Sequence, residues 1–482
     1  MGIFDLFLKK KGLVEILVKE IDSPPEPYTP PDRSYKETVG RIEITDDFAT
    51  ALEAIDEGFP LILLTGSAGT GKSTFIRYFC GTTKKRVAIV SPTGVAALIV
   101  GGKTIHSLFK LPPRYIDPID IKPAHGHDKD LFSNLDILII DEISMVRADL
   151  MDAIELSLRI NAQKRKSKKA FGGVQVVMVG DLFQLPPVLG GKMEKQIINN
   201  RFNTKYFFSA FGMKQLTMLP IEFTKCYRQN EDDLFFKILQ NIRKGHNVEP
   251  CVTMINNKCI SQRPPKGAVT LTCTRRRAQI INEFEFSKIQ EPQKTYYGEI
   301  SGNFNLVEHK LPSPMELRLK NETLVMFTKN GGPNSWVNGT IGKVIGMEEN
   351  SVFVETIPGG AIYEVGQASW DAYEYYFSKE ENTVKSYVDG TYKQIPLMHA
   401  WAMTIHKAQG KTIERLHIDL TDQPFETGQI YVALSRCPSL DGITINKPLQ
   451  PKDVMVCPTM QRFYKQWATK KTKMKPVSLE AK

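Results

Sequence analysis

LILLTGSAGTGKSTFIRYFC, residues 61–80, is the stretch that decides the fold. Residues 61–65 form an apolar run of strand length, and residues 71–80 read as a helix. Between them GSAGTGKS, residues 66–73, satisfies G-x-x-x-x-G-K-[ST] at every position. A strand before and a helix after is the context that this motif requires. Its glycines let backbone N–H groups close around a phosphate, and the helix start adds a positive end. Lys72 is expected to reach the β- and γ-phosphates and Ser73 to hold Mg²⁺. Gly66, Ala68, Gly69, Thr70, Gly71 and Thr74 complete the expected cradle.

A second apolar run, ILII at 137–140, ends in Asp141 and Glu142. Hydrolysis of a phosphoanhydride needs a cation to neutralise charge and a base to orient water. Asp141 is expected at the metal and Glu142 beside the water, which makes the chain a nucleoside triphosphatase.

Outward from these two motifs the text alternates between short apolar runs and helical stretches. RVAIV (86–90) and VQVVMVGD (174–181) are further strands, with helices expected at 48–58 and 94–102. The alternation returns at AVTLTC (268–273), RRRAQIINEFE (275–285), RLHIDL (415–420) and GITI (442–445). Strands alternating with helices predict an α/β fold with parallel sheets, in two units. Residues 298–396 differ, being rich in Val, Tyr, Thr and Gly with turns at Asn330-Gly331 and Asn338-Gly339. They read as an antiparallel β insertion in the second unit. Residues 109–133 read as an irregular insertion in the first. The expected organisation is an N-terminal extension with a Pro-rich linker (1–40), a first domain (41–215), a second (216–297 and 397–460), the β insertion (298–396) and a basic tail (461–482).

Composition narrows the class. The 482 residues carry 63 Lys and Arg against 53 Asp and Glu, a formal charge of +10, with 41% hydrophobic and 24% charged residues. That is a globular composition and excludes disordered, collagen-like and coiled-coil chains. No apolar run approaches a membrane span, so no membrane partner is expected. Seven scattered cysteines without a C-x-x-C pair argue against disulfides or structural zinc and for a reducing compartment. The first residues, MGIFDLFLKKKG, do not read as a signal peptide, and a cytoplasmic location is expected. The basic excess permits a nucleic-acid partner.

Seven blocks then carry a resemblance. SPTGVAALIVGGKTIHSLF (91–109), DEISMVRADLMDAIELSLR (141–159), FGGVQVVMVGDLFQLPPV (171–188), CYRQ (226–229), VNGTIGKV (337–344), AWAMTIHKAQGKTI (400–413) and YVALSRC (431–437) closely resemble the Pif family of helicases, in the family's order. The resemblance implies two RecA-like domains, ATP in the cleft between them, and 5′-to-3′ stepping of a monomer along single-stranded DNA. It implies that Gln184 senses the γ-phosphate and that Gly410 lines the nucleotide. Arg228 and Arg436 would reach across the cleft as arginine fingers, a role worth ~10³-fold or more in such enzymes. Pro92, Thr93, His106 and Ser107 from the first domain, and Thr404, His406 and Lys407 from the second, would line the single-strand channel. Thr274 and Asn282 are further candidates for it. Hydroxyls, imidazoles and ammonium groups suit phosphate oxygens and carry no sequence information.

The resemblance also implies that 109–133 is a wedge that splits duplex, with Leu111, Pro112, Pro113 and Tyr115 as an apolar tip, and that the β insertion is Src-homology-3-like. Forked DNA, RNA–DNA hybrids and G-quadruplexes are the implied substrates. One departure stands out. The family carries a glutamine upstream of the phosphate loop that reads adenine, and no Gln precedes Gln163 here. The runs KRKSKK (164–169) and KKTKMK (470–475) read as solvated or phosphate-gripping segments. His125-Gly-His127 lacks the further histidines and separate domain that a relaxase or metal nuclease needs. A DNA-stimulated translocase that does not unwind, and a RecD-like helicase, are the competing readings.

Overall fold

The computed structural model describes residues 42–163, 168–228 and 233–471, apart from 305, 307, 309–310, 332–334, 337, 358 and 379. The expected N-terminal extension, most of the KRKSKK run and the end of the basic tail lie outside the described residues.

The first sheet has six parallel strands: β1 (Leu61–Gly66), β2 (Val87–Ser91), β3 (Lys103–Thr104), β4 (Ile137–Ile140), β5 (Gln175–Gly180) and β6 (Met218–Phe223). Their order is β3-β2-β4-β5-β1-β6. Every residue of β1, β4 and β5 is buried, which is why these strands read as continuous apolar runs rather than as alternations. β1, β5 and β4 are neighbours, so the phosphate loop, Asp181 and Asp141 leave the sheet side by side at the carboxyl ends of their strands. Open parallel sheets bind ligands at that edge. The sequence placed residues from 216 onward in the second domain. Instead β6 pairs with β1 along six residues from Leu61↔Met218 to Gly66↔Phe223, so the first sheet runs on to Phe223.

The second sheet opens with β7 (Val269–Thr272) and is then interrupted by β8 (Lys294–Tyr297), β9 (Glu299–Gly302), β10 (Glu316–Leu319), β11 (Leu324–Phe327), β12 (Ile341–Met347), β13 (Ser351–Ile357), β14 (Ile362–Gly366), β15 (Ala368–Ser378), β16 (Thr383–Gln394) and β17 (Leu397–His399). It resumes with β18 (Ala402–Thr404), β19 (Leu416–Asp419) and β20 (Ile443–Ile445), parallel in the order β18-β7-β19-β20. The interruption is antiparallel, as its composition predicts. β14-β13-β12-β11-β17 form one sheet over a core that includes Phe327, Val344 and Val354.

Two parts of the chain return to the first domain. The long hairpin β15–β16, extended by β9, leaves the insertion and lies against the first sheet's β3 edge. There Tyr375 is buried in the first domain's core and its hydroxyl donates to the Gly101 carbonyl at 3.3 Å. Glu374 pairs with the buried Lys103, and Arg86 donates to Asn382 at the hairpin turn. The helix Pro458–Lys471 is the second. Residues from 461 read as a basic tail, yet Met460 and Phe463 dock on the first core, with the Phe463 ring stacked on Phe208 at 4.1 Å. Apolar side chains three and four residues apart (Met460, Phe463, Tyr464) give this helix one sticky face.

The expected wedge is partly core. Leu111 and Ile116 are buried in the first domain, so Leu111 does not belong to an exposed tip. Ile119, which starts no recognisable pattern, is 74% exposed instead.

Candidate active site in the cleft between the two parallel sheets

The phosphate loop is built by its glycines. Gly69 and Gly71 have φ of 85° and 84°, where a Cβ is strained. At Gly69 a Cβ would stand 2.6 Å from Cβ of Arg228, so only glycine lets the second segment come so close. Lys72 opens the helix Lys72–Thr82, and its ammonium donates to the carbonyls of Gly66 at 2.9 Å and Ser67 at 2.8 Å. Burial pulls the Lys72 pKa down, and Asp181, Glu142 and Asp141 act against that pull. Ser73 and Thr74 follow on the same first turn.

Asp141 and Glu142 follow β4. Glu142 sits at φ 51°, ψ 46°, a left-handed conformation that costs a non-glycine residue about 1 kcal/mol or more and is concentrated at functional sites. Burial raises the pKa of both carboxyls, and Asp141 adds like charge against Glu142. Buried carboxylates short of positive charge fit a divalent cation, which would be held by Asp141 and the Ser73 hydroxyl.

Gln184 lies three residues beyond Asp181 and is buried. Its Oε1 accepts from Nε2 of Gln409 at 3.0 Å, and the same Nε2 lies 3.1 Å from Oε2 of Glu142. Gln409 comes from the second domain, next to Gly410, and joins Glu142 to Gln184. The sequence reading selected its neighbour and missed it.

The two arginines meet. Arg228 donates to the Ser435 carbonyl at 3.0 Å, and Arg436 donates to the Ser435 hydroxyl at 2.8 Å and to the Val432 carbonyl at 2.9 Å. Arg436 is 1% exposed. Burial lowers the pKa of both, and among the described residues neither guanidinium is paired with a carboxylate. Such cations await an anion.

One further network is new. Asp181 accepts from Arg243 Nε at 2.9 Å and from the Tyr431 hydroxyl at 2.6 Å. Arg243 lies on the helix Asp233–Lys244, four residues after Leu239 and eight after Phe235, both core. A charge on the apolar face of an amphipathic helix is the one sequence signal that marks it.

The expected DNA residues form a repeated local motif. Thr93, just past β2, and Thr104, the last residue of β3, cap helices by accepting from Ala96 N at 3.3 Å and Ser107 N at 3.1 Å. Thr274, just past β7, and Thr404, the last residue of β18, do the same, accepting from Arg277 N and Lys407 N at 3.2 Å each. Ile105 and Ile405 are both fully buried, so Pro92, Thr93, His106 and Ser107 sit on one sheet as Thr274, Thr404, His406 and Lys407 sit on the other. Burial lowers the His406 pKa, leaving a neutral ring near pH 7. Asn282 is committed elsewhere, since both ends of its amide bind the Ala402 backbone at 2.8 Å.

A phosphate loop, two carboxylates and two cross-domain arginines between parallel sheets define a two-domain P-loop nucleoside triphosphatase. Comparison with known proteins narrows this. Residues 44–251 match the model of the PIF1-like helicase family. The ATP-dependent DNA helicase Pif1 of Bdellovibrio bacteriovorus is 32% identical over 437 residues, covering 89% of this chain and 93% of that protein. The human ATP-dependent DNA helicase PIF1 is 30% identical, and the chain spans 63% of its length. The crystal structure of Bacteroides Pif1 with ADP-AlF4 superposes with a TM-score of 0.81 at 31% identity, covering 89% of this chain and 98% of that one. The same relative bound to single-stranded DNA gives 0.65. The chain belongs to the PIF1-like helicase family and is an ATP-dependent DNA helicase, an ATP-hydrolysing enzyme. Among the described residues, no helix is long and apolar enough to cross a membrane.

Proposed function

We propose that the enzyme steps 5′ to 3′ along single-stranded DNA as a monomer and opens forked duplex, and that RNA–DNA hybrids and G-quadruplexes are further substrates. The observation that carries the reading is the repeated strand–Thr–helix motif, which presents a hydroxyl, a buried Ile and a His at the edge of each sheet. Two equivalent grips on one strand, with ATP between them, can alternate as the cleft opens and closes. That 5′-to-3′ sense rests on the family, in which Bacteroides Pif1 has been solved bound to single-stranded DNA and a further structure concerns unwinding at forked duplex by two coordinating Pif1 helicases.

In the same reading Lys72 and the loop amides hold the triphosphate, and Ser73 and Asp141 hold Mg²⁺. Glu142 takes the proton of the attacking water, and Gln184 and Gln409 orient it. Arg228 and Arg436 neutralise the transferred phosphoryl group. Pro113 and Ile119, two exposed apolar side chains of the 109–133 segment, stack on the fork. Two partial duplexes, one with a 5′ and one with a 3′ single-stranded tail, test the polarity. With ATP and Mg²⁺, unwinding only of the 5′-tailed duplex, lost in Lys72→Ala, is the expected result. Unwinding of the 3′-tailed duplex would reverse the polarity. ATP hydrolysis stimulated by DNA without unwinding of either would make the enzyme a translocase.

A further inference from the structure

The Asp181 network has the geometry of a strut. The Ala68 N–H in the phosphate loop donates to the Tyr431 hydroxyl at 3.2 Å. That hydroxyl donates onward to Oδ2 of Asp181 at 2.6 Å, and Arg243 Nε donates to Oδ1 at 2.9 Å. The chain of bonds therefore crosses the cleft three times, from the first domain to the helix Gln429–Leu434, back to the end of β5, and out again to the helix Asp233–Lys244. All three side chains are at most 3% exposed. The Arg243 guanidinium also lies 4.9 Å from the Phe183 ring centroid and 3.6 Å from Glu222.

Packing shows that the close approach is built in. Gly428 precedes the helix at φ 79°, and a Cβ there would stand 2.7 Å from the carbonyls of Phe183 and Gln184. The helix is six residues long and Arg436 lies two residues past its end. Arg436 Nε is bonded to Val432, one residue from Tyr431. Whatever fixes Tyr431 therefore fixes the arginine. The hydroxyl is not needed to fill space, since a phenyl ring would fill the same volume. It is needed to satisfy Ala68 N–H and to hold the helix to Asp181.

We propose that Tyr431 is a positioning residue for hydrolysis, holding Arg436 in register with the phosphate loop through Ala68 and Asp181, with Arg243 anchoring Asp181 from behind. The proposal rests on reading Arg436 as the residue that neutralises the transferred phosphoryl group. A contact that matters only when charge develops lowers kcat and leaves ground-state binding alone.

The test compares Tyr431→Phe with the wild type, using Mg-ADP alone and Mg-ADP with aluminium fluoride as the transition-state probe. The expected result is a fall of about tenfold or more in DNA-stimulated kcat, with KM for ATP within about threefold. Affinity for ADP with aluminium fluoride falls by a similar factor while affinity for ADP is unchanged. A variant with unchanged kcat, or one that loses both affinities together, overturns the proposal. Arg243→Met and Arg243→Lys form a second pair. Lysine is expected to recover part of the affinity for the aluminium fluoride complex that methionine loses, and equal losses would remove Arg243 from the strut. Arg436→Ala is measured alongside. If it retains full kcat, the reading of Arg436 fails. If it loses kcat while Tyr431→Phe does not, only the strut fails.

Discussion

The nucleotide cleft and the β15–β16 hairpin both join the first domain to the second, and they do so in opposite ways. In the cleft, charged and polar groups converge on space: Lys72 rests on loop carbonyls, two carboxyls carry raised pKa values, and two arginines lean on carbonyls and a hydroxyl. At the hairpin acid and base pair directly with each other. Glu374 closes on Lys103 with both side chains largely buried, and Tyr375 fills the first core. One interface stores unpaired charge for a ligand, whereas the other spends its charge on docking. A functional site is recognisable by that imbalance, and a structural contact by its closure.

The largest expected effect breaks the cleft. Glu142→Gln keeps shape and burial and removes the base. DNA-stimulated kcat is expected to fall ~10²–10⁴-fold, with ATP affinity within about threefold. Steady-state hydrolysis beside nucleotide titration checks this, and unchanged turnover would take the role from Glu142. Gln409→Leu removes the donor between Glu142 and Gln184 and is expected to cost about tenfold in kcat in the same assay. If Gln409→Leu instead weakens ATP binding with kcat intact, the residue contacts ground-state nucleotide rather than the hydrolytic machinery.

The same contrast explains what was legible in the sequence. The phosphate loop, Asp141 and Glu142 are local: a strand, a turn and a few residues fix the chemistry, so the text alone placed them. Arg228 and Arg436 needed the order of whole blocks, because nothing around a single arginine says which cleft it enters. Gln409, Tyr431 and Arg243 were missed because their roles are contacts between segments 62 to 363 residues apart. The hairpin misled for a related reason. Its Val- and Tyr-rich text correctly predicts antiparallel strands, but period-two alternation does not say which core the buried face enters. Tyr375 could have faced the insertion's own core, and the first domain holds it instead. Leu111 and the helix Pro458–Lys471 misled likewise, since Pro-rich or Lys-rich surroundings conceal apolar side chains that find a distant core.

The third prediction breaks the hairpin. Glu374→Leu leaves the Lys103 ammonium buried without its anion and is expected to destabilise the fold by about 3 kcal/mol. The double variant Lys103→Met, Glu374→Leu should recover most of that loss, because no buried charge remains. Urea midpoints for the wild type, both single variants and the double give the coupling directly. ATP hydrolysis without DNA is expected to survive in all four, which would separate docking from chemistry. Equal midpoints throughout would mean that the pair is screened and the contrast with the cleft is weaker than its geometry suggests.

The smallest effect sharpens the comparison at Lys411, which connects the two regions. Lys411 follows Gly410 beside the cleft, and its ammonium donates to Asn338 Oδ1, on the turn leading into β12, at 2.7 Å. Asn338 is neutral, so among the described residues this cation, like those of the cleft, is buried without an anion. Burial pulls its pKa down to about 8, and Lys407 adds like charge. A base whose folded pKa lies below its unfolded value of 10.5 binds fewer protons folded than unfolded between those two pH values. Stability from this group therefore rises with pH in that window, by about 1 kcal/mol between about pH 8 and pH 9. Below that window both states are protonated and the burial cost is constant. Lys411→Met is accordingly expected to be stabilising near pH 7, with the advantage over wild type shrinking as pH rises through the window. Measuring the difference between the two proteins cancels the titration of every other group. A difference that stays flat with pH would mean that Lys411 keeps its proton in the folded state. Its charge would then already be compensated, as at the hairpin rather than as in the cleft.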